Sequence, residues 1–218
     1  MRLPHACRLC GERVLAGVLC PGCHLDLPRL SGACCPRCAL PSPDGQTCGA
    51  CLRRPPAFDQ AQAAHAYAFP LDALIRHCKY QGVLELTELF ARELATRVRF
   101  QDRPDLLIPM PLHPRRLGER GYNQAAEITR RLARHLALPW QADACRRARD
   151  TPPQAGLDLQ ARRRNLRGAF RCERALSGRH VALVDDVMTS GASLQELAKA
   201  VKMAGAARVS VWVVARAL

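Results

Sequence analysis

Val181-Ala-Leu-Val-Asp-Asp-Val-Met-Thr-Ser-Gly-Ala-Ser193 is the stretch on which the reading of the chain turns. Val181 to Val184 read as a short buried strand. Two adjacent carboxylates follow, Asp185 and Asp186, and then a loop of small residues, Thr189 to Ser193. Leu194, Leu197, Ala198 and Val201 keep the spacing of one helix face, and Gly205 stands where a terminating glycine belongs. A helix N-terminus offers unpaired N–H groups and the positive end of a dipole, so an anion can settle there. Gly191 lets the backbone approach a phosphate, and Thr189, Ser190 and Ser193 add hydroxyl donors. No Lys precedes the Ser/Thr of the loop, so it is not a Walker A loop. Two carboxylates facing a phosphate would repel it. They make sense if they accept hydrogen bonds from other hydroxyls of the same ligand, or hold a cation. A sugar phosphate with a vicinal diol suits both halves, and an ordinary strand-to-helix turn with a solvated acidic pair is the bland alternative.

Working outward, Arg208 to Ala215 is a second buried strand, and Asp105 to Leu112 a third that ends in prolines. His113 to Tyr122 reads as a basic loop, after which Asn123 caps a helix with Ala125, Ile128, Leu132 and Leu136 inward, stopped by Pro139. Arg115, Arg116 and Arg120 thus lie past the carboxyl end of a strand, where open α/β sheets bind ligands and where guanidinium groups can hold a pyrophosphate. Earlier, residues 61–69 suggest a strand or hairpin arm. A helix from Leu71 is interrupted at Lys79-Tyr80-Gln81-Gly82, and a second runs over about 83–99. Trp140 to Asp143 suggests a short strand. Residues 146–167 form an Arg-rich loop, read as a basic lid in which Asp158 caps a short helix bearing Arg162 to Arg164. Phe170 to Cys172 begins another strand. Strands alternating with helices give a parallel α/β domain.

Nine of the 12 cysteines precede residue 52. They include Cys7/Cys10, Cys20/Cys23, Cys35/Cys38 and Cys48/Cys51, and adding 28 to the first four positions gives the second four. Clustered Cys-x-x-Cys pairs favour metal over disulfides, and four thiolates complete one tetrahedral Zn²⁺ with no open position, hence two structural zinc ions. Consecutive pairs are the natural ligand sets. Interleaved pairing, a redox or iron–sulfur role, and His5 or Cys34 as a variant ligand stay open. The expected domains are residues 1–54, the double cysteine module, and 61–218, the α/β domain, with a proline-broken linker between them.

The chain has 218 residues, 48% hydrophobic and only 5% aromatic, so its core rests on Leu, Val and Ala. The absence of a long apolar run excludes a membrane-spanning helix, and the N-terminus lacks the apolar region of a secretory signal, so a cytoplasmic protein is expected. The formal charge is +14. Eight thiolates on two Zn²⁺ reduce it to about +10. Phosphate-rich partners fit that charge, as does a merely solvated Arg-rich surface.

The Asp185–Ser193 stretch, comprising Asp185, Asp186, Val187, Met188, Thr189, Ser190, Gly191, Ala192 and Ser193, closely resembles the phosphoribosyl pyrophosphate (PRPP) motif of type I phosphoribosyltransferases. That resemblance implies ribose hydroxyls on the acidic pair, the 5′-phosphate on the loop, Mg²⁺ with PRPP, and a pyrophosphate loop at Arg115, Arg116 and Arg120. Nearly the whole chain resembles the ComF competence family. The shared features are the double cysteine module, Lys79-Tyr80-x-Gly82, Pro111 to Arg116, Arg120 to Gln124, Thr151 with Gln154, Arg164-Asn165 and the acidic motif. Met188, Ser190 and Ser193 depart from the commoner residues without removing a donor. The resemblance implies a type I phosphoribosyltransferase fold, PRPP binding, and a link to natural transformation, with single-stranded DNA and competence-machinery proteins as partners.

Three functions compete. A phosphoribosyltransferase would hold Mg²⁺ and PRPP at Asp185, Asp186 and Thr189 to Ser193, with Arg115, Arg116, Arg120 and Arg164 around the pyrophosphate and Asp186 or Asp185 available to take a proton. A single-stranded nucleic-acid-binding accessory protein would use the Arg-rich segments. A PRPP-sensing regulator would keep the site without turnover. The acceptor cannot be read from these residues.

Overall fold

A computed structural model describes residues 5–98, 103–149 and 166–218. The elements in chain order are β1 (His5–Ala6), β2 (Arg13–Val14), α1 (Pro21–Leu25), α2 (Gly49–Arg53), β3 (Gln60–Ala66), α3 (Leu71–Tyr80) and α4 (Leu86–Arg97). They continue with β4 (Leu106–Pro109), α5 (Pro114–Arg120), α6 (Gln124–Leu136), β5 (Cys145–Arg147), β6 (Phe170–Cys172), β7 (His180–Met188), α7 (Ala192–Met203) and β8 (Arg208–Arg216). Among the described residues no helix is long and apolar enough to cross a membrane.

The sheet that organises the fold has the order β3-β8-β7-β4, and every neighbouring pair is parallel. Strands β4, β7 and β8 are buried on both faces over their apolar stretches, which is why they read as continuous apolar runs, whereas the edge strand β3 alternates at its start. Leu106, Ile108, Val181, Leu183, Val209, Val211 and Val213 face one core, with α7 packed over them. Leu107, Ala182, Val184, Trp212 and Val214 face the other, under α3, α4 and α6. The chain crosses from β3 to β4 over one face and returns from β7 to β8 over the other, so both crossovers have the same hand. After β4 it passes through α6 and comes back on the outer side of β4, where Trp140 makes a single parallel bridge to Leu107. After β7 it turns instead toward α7. Neighbouring strands whose chains leave to opposite sides open a crevice at their carboxyl ends, and here that crevice lies between β4 and β7.

Several sequence expectations shift. Residues 113–122 are not a loop: Pro114–Arg120 forms α5, with His113 Nδ1 accepting from the Arg115 N–H at 3.3 Å. The helix α3 is not interrupted at Lys79 but runs through Tyr80. The strand at Phe170 pairs antiparallel with β5, outside the parallel sheet. Asn123 does cap α6, accepting from Ala125 and Ala126 N–H at 3.0 and 3.3 Å. The proline-broken segment between the cysteine module and β3 packs onto the α/β domain: Phe58 is buried and the Ala57 N–H donates to Gln195 Oε1 at 2.7 Å. Thr151, Gln154, Asp158, Arg162 to Arg164 and Asn165, the lid of the sequence reading, lie outside the described residues.

The end of α7 shows why Gly205 is where it is. Its N–H donates to Lys202 O at 2.9 Å and that of Ala206 to Val201 O at 3.3 Å, the two bonds of a Schellman cap. Gly205 has φ +100°, and a Cβ there would sit 3.0 Å from Ser177 Cα and Oγ. Gly205→Ala therefore loses about 1–2 kcal/mol from left-handed backbone alone. Thermal unfolding should fall by roughly 2–8 °C for a chain of this size.

The first cysteine unit docks on α4 through Glu93. Its Oε1 lies 2.7 Å from His24 Nε2 and its Oε2 lies 3.0 Å from His65 Nε2. Burial works against the carboxylate, but these two partners win and hold its pKa down at about 2. A depressed carboxylate contributes stability that is present above its unfolded pKa, about 4.3, and is lost as pH falls toward the folded value. The stability difference between the protein and Glu93→Gln should thus be full above about pH 5 and fade between about pH 4 and 2 in acid titrations of unfolding.

Candidate functional site: an acidic crevice and two cysteine centres

The strand β7 extends four residues past the apolar run, so Asp185, Asp186, Val187 and Met188 end the strand rather than begin a loop. Asp186 is 3% exposed, and its Oδ2 lies 2.9 Å from Nζ of Lys79 at the end of α3. Burial opposes the charge of Lys79, yet Asp186 and Asp185 raise its pKa above the ordinary lysine value. Asp185 is half-buried and its Oδ1 accepts the Asp186 N–H at 2.9 Å. Burial, then the charge of Asp186, push the Asp185 carboxyl up to about 8 against the pull of Lys79. One lysine thus faces two carboxylates, and the site has room electrostatically for a further cation or for hydroxyl donors. Lys79 is the site residue the sequence reading missed. Its signal is the place of Lys79-Tyr80-x-Gly82 in the family resemblance, while periodicity alone reads those residues as a helix break.

Beyond β7, Gly191 has φ +74° and forms the N-cap of α7, a first turn without acidic residues. Thr189 is exposed, Ser190 and Ser193 are half-buried, and Ser190 Oγ accepts the Ala192 N–H at 3.4 Å. Ser190, Gly191 and Ala192 line a cleft of about 520 Å³ with Arg167 and Lys199, and the second cysteine unit forms its opposite wall through Cys38, Cys51 and Arg54.

Across the crevice, the Met110 N–H donates to Val184 O at 2.8 Å, holding the start of the post-β4 segment against β7. The Asn123 side chain donates to Met110 O at 3.0 Å, and the Tyr122 hydroxyl donates to Cys78 O. Arg120 lies 5.5 Å over the Tyr80 ring, next in sequence to Lys79, and donates to Gln124 Oε1 at 2.5 Å. Arg115 is on the exposed face of α5 with Nε 3.1 Å from Glu119 Oε1, and Arg116 is half-buried on the same helix. Of the arginines expected at the site, Arg120 is thus the one linked through Tyr80 to the Lys79–Asp186 pair, and Arg164 lies outside the described residues.

The cysteines gather as consecutive sets, Cys7/Cys10/Cys20/Cys23 and Cys35/Cys38/Cys48/Cys51, with the sulfurs of each set within 4.8 Å of one another. The Sγ–Sγ distances Cys10–Cys20 and Cys38–Cys48 are both 3.7 Å, close to the roughly 3.8 Å edge of a tetrahedron with Zn–S of about 2.3 Å. The 28-residue repeat is geometric as well: Cys7 N to Glu12 O and Cys35 N to Leu40 O are both 2.7 Å, and Ala6↔Arg13 recurs as Cys34↔Pro41. Against the cost of burial, backbone N–H groups of Cys10, Cys20 and Leu9 pull the Cys7 thiol down to about 6. The Cys51 N–H pulls Cys48 down to about 7. The neighbouring Cys10 thiol pushes Cys23 up, and burial pushes Cys51 up. Four thiolates this close repel, and a dication at the centre removes the conflict. His5 is not a ligand, since its Nε2 meets the Gly17 carbonyl, and Cys34 stands outside both sets.

These features define a class, a parallel α/β protein with an acidic crevice at its switch point and two four-cysteine zinc ribbons docked on it. Residues 1–52 match the double zinc ribbon domain. The chain is 35% identical to the DNA utilization protein YhgH of Escherichia coli O157:H7 over all of both chains. It is 35% identical to competence protein F of Haemophilus influenzae over 91% of this chain and 90% of that one. Competence protein ComFC of Bacillus subtilis is 24% identical over 83% and 76%. The chain belongs to the ComF family, which these DNA utilization and competence F proteins represent. Among solved structures, glutamine PRPP amidotransferase from B. subtilis overlaps with a TM-score of 0.41 at 16% identity, over 58% of this chain and 25% of that one, too loosely to bear on fold or ligand.

Proposed function

We propose that the protein binds PRPP with Mg²⁺ in the crevice between β4 and β7, as a phosphoribosyltransferase-like member of its family, and that it serves in the handling of incoming DNA. The observation that carries this reading is the half-neutralised acidic pair at the sheet's switch point, followed directly by a glycine loop and a helix N-terminus. In this reading Asp185 and Asp186 accept the ribose hydroxyls, and Thr189, Ser190 and Ser193, with the backbone from Val187 to Ala192, hold the 5′-phosphate. Arg120 on the rim, with Arg115, Arg116 and Arg164, supplies positive charge for the pyrophosphate. Mg²⁺ would supply charge neutralisation of the leaving pyrophosphate. Transfer to an acceptor would then be a matter of positioning and electrostatics, and a PRPP sensor would use the same residues without the acceptor.

Thermal unfolding with PRPP and Mg²⁺ is the test. At about 100 times the dissociation constant the ligand stabilises by about 2.7 kcal/mol, a shift of roughly 5–10 °C for this size. The shift is expected in the parent chain and not in Asp185→Asn/Asp186→Asn. The names of the relatives and the charge of +14 favour DNA as a second ligand. Its affinity should fall steeply with salt and survive the double substitution, since phosphate contacts of Arg and Lys carry it.

A further inference from the structure

The guanidinium of Arg216, the last residue of β8, is a buried cation that no motif in the sequence marks. It is 7% exposed, and among the described residues its hydrogen-bond partners are all backbone carbonyls. Nε donates to Cys38 O at 2.9 Å, inside the second cysteine unit. Nη1 donates to Met188 O at 2.8 Å, to Ala217 O at 2.7 Å and to Thr189 O. Burial lowers its pKa, while Cys38, Cys51 and Cys48 work the other way, so the charge it faces is that of the sulfur centre. The side chain therefore clamps the carbonyls of Met188, the last residue of β7, and Thr189, the first of the glycine loop, to the cysteine unit. A trans peptide points its N–H opposite to its C=O. Fixing the carbonyls of Met188 and Thr189 thus fixes the direction of the Thr189 and Ser190 N–H groups. The Ala57–Gln195 bond at 2.7 Å ties the segment that follows the module to the first turn of α7.

We infer that Arg216 is a positioning residue that sets the loop amides for a phosphate by bracing them on the second cysteine unit; the phosphate in question rests on the PRPP reading above. The first unit, docked through Glu93 on the opposite face, has no such tie among the described residues. Two readouts on the zinc-loaded full chain test this. Hydrogen exchange of the amides of residues 188–193 should speed up in Arg216→Met and in Cys48→Ser, and stay unchanged in Glu93→Gln. PRPP affinity should drop roughly 10–100-fold in Arg216→Met, the usual effect of removing an orienting partner. Arg216→Lys should recover part of it, because an ammonium can reach some of the carbonyls but cannot fork. If Arg216→Met does not fold, Arg216→Lys alone carries the test through an intermediate loss. Loop exchange unchanged in the Arg216 variants, or raised equally by Glu93→Gln, overturns the inference. Faster loop exchange in a protein that never binds PRPP keeps the bracing role and sinks only the ligand.

A separate observation carries a second inference. Cys145 and Cys172 are register partners across β5 and β6, and neither belongs to a metal set. The Glu173 N–H donates to Ala144 O at 2.9 Å and that of Ala148 to Ala169 O at 2.8 Å, which places Cys145–Cys172 at a non-hydrogen-bonded position. Such pairs have Cα atoms about 4.5 Å apart, inside the range of about 4.4–6.8 Å that a disulfide spans. The geometry points to a reversible disulfide that staples the two ends of the Arg-rich segment. With a low-molecular-weight disulfide as oxidant, the Cys172 thiolate displaces one thiolate to form a mixed disulfide. Cys145 then displaces the other, so two protein thiols become one disulfide and the oxidant leaves as two thiols. Treating zinc-loaded protein with hydroxyethyl disulfide should link the peptides holding Cys145 and Cys172 before zinc is released. Zinc loss first, with both cysteines still alkylated as free thiols, overturns it.

Discussion

Stripping zinc from this protein unfolds far more than its N-terminal module. A structural four-thiolate site contributes about 10–16 kcal/mol at pH 7, against a total stability of about 5–15 kcal/mol for a domain. The two units are also built into the body of the molecule. Cys7, Val14, Leu19 and Leu27 join the core under α3 and α4, whereas Leu30, Ala39 and Phe58 join the core under α7. A strong chelator should therefore lower the midpoint of unfolding by more than about 10 °C and expose dye-binding apolar surface, with two zinc ions recovered per chain. An unchanged melting curve after complete metal removal would contradict this account of the module.

Replacing Lys79 by methionine has the second largest expected effect. Asp186 is 5% exposed by its side chain and Lys79 22%, so the pair is nearly dry. Removing one partner of a buried pair costs about 3–5 kcal/mol because the other charge is stranded. That corresponds to a midpoint lowered by roughly 6–20 °C. The sign with pH follows from the carboxylates. Without Lys79 the folded-state pKa of Asp185, already raised by burial and by the charge of Asp186, rises further above its unfolded value. A raised pKa contributes stability below the unfolded pKa and loses it as pH rises through the folded one. The penalty of Lys79→Met should therefore be small near pH 4 and grow toward pH 8, and unfolding measured across that range checks it. A loss below about 1 kcal/mol at pH 7 would mean that the two carboxylates are not confined as the structure has them.

How much of this was legible beforehand depends on the physics involved. The strand, the acidic pair and the helix at 181–203 were readable because burial imposes apolar runs and helix spacing locally. The two sulfur sets were readable because their spacing repeats by 28. The helix at Pro114–Arg120 was not, since its residues are polar and half-exposed and show no apolar face; His113 and Pro114 start it by capping instead. Nor was the Lys79–Asp186 pair, which joins residues more than a hundred apart, one near the end of α3 and the other near the end of β7. Arg216 closes a strand and reads in sequence as one more surface arginine, yet its partners include carbonyls of the distant Cys38 and of Met188 at the end of β7.

The most direct test of the central claim is a calorimetric titration of PRPP into the zinc-loaded full chain with Mg²⁺, beside Asp185→Asn/Asp186→Asn. The account predicts saturable binding of one PRPP per chain that requires Mg²⁺ and disappears in the double variant. No binding up to millimolar PRPP, or equal binding by both proteins, would contradict it.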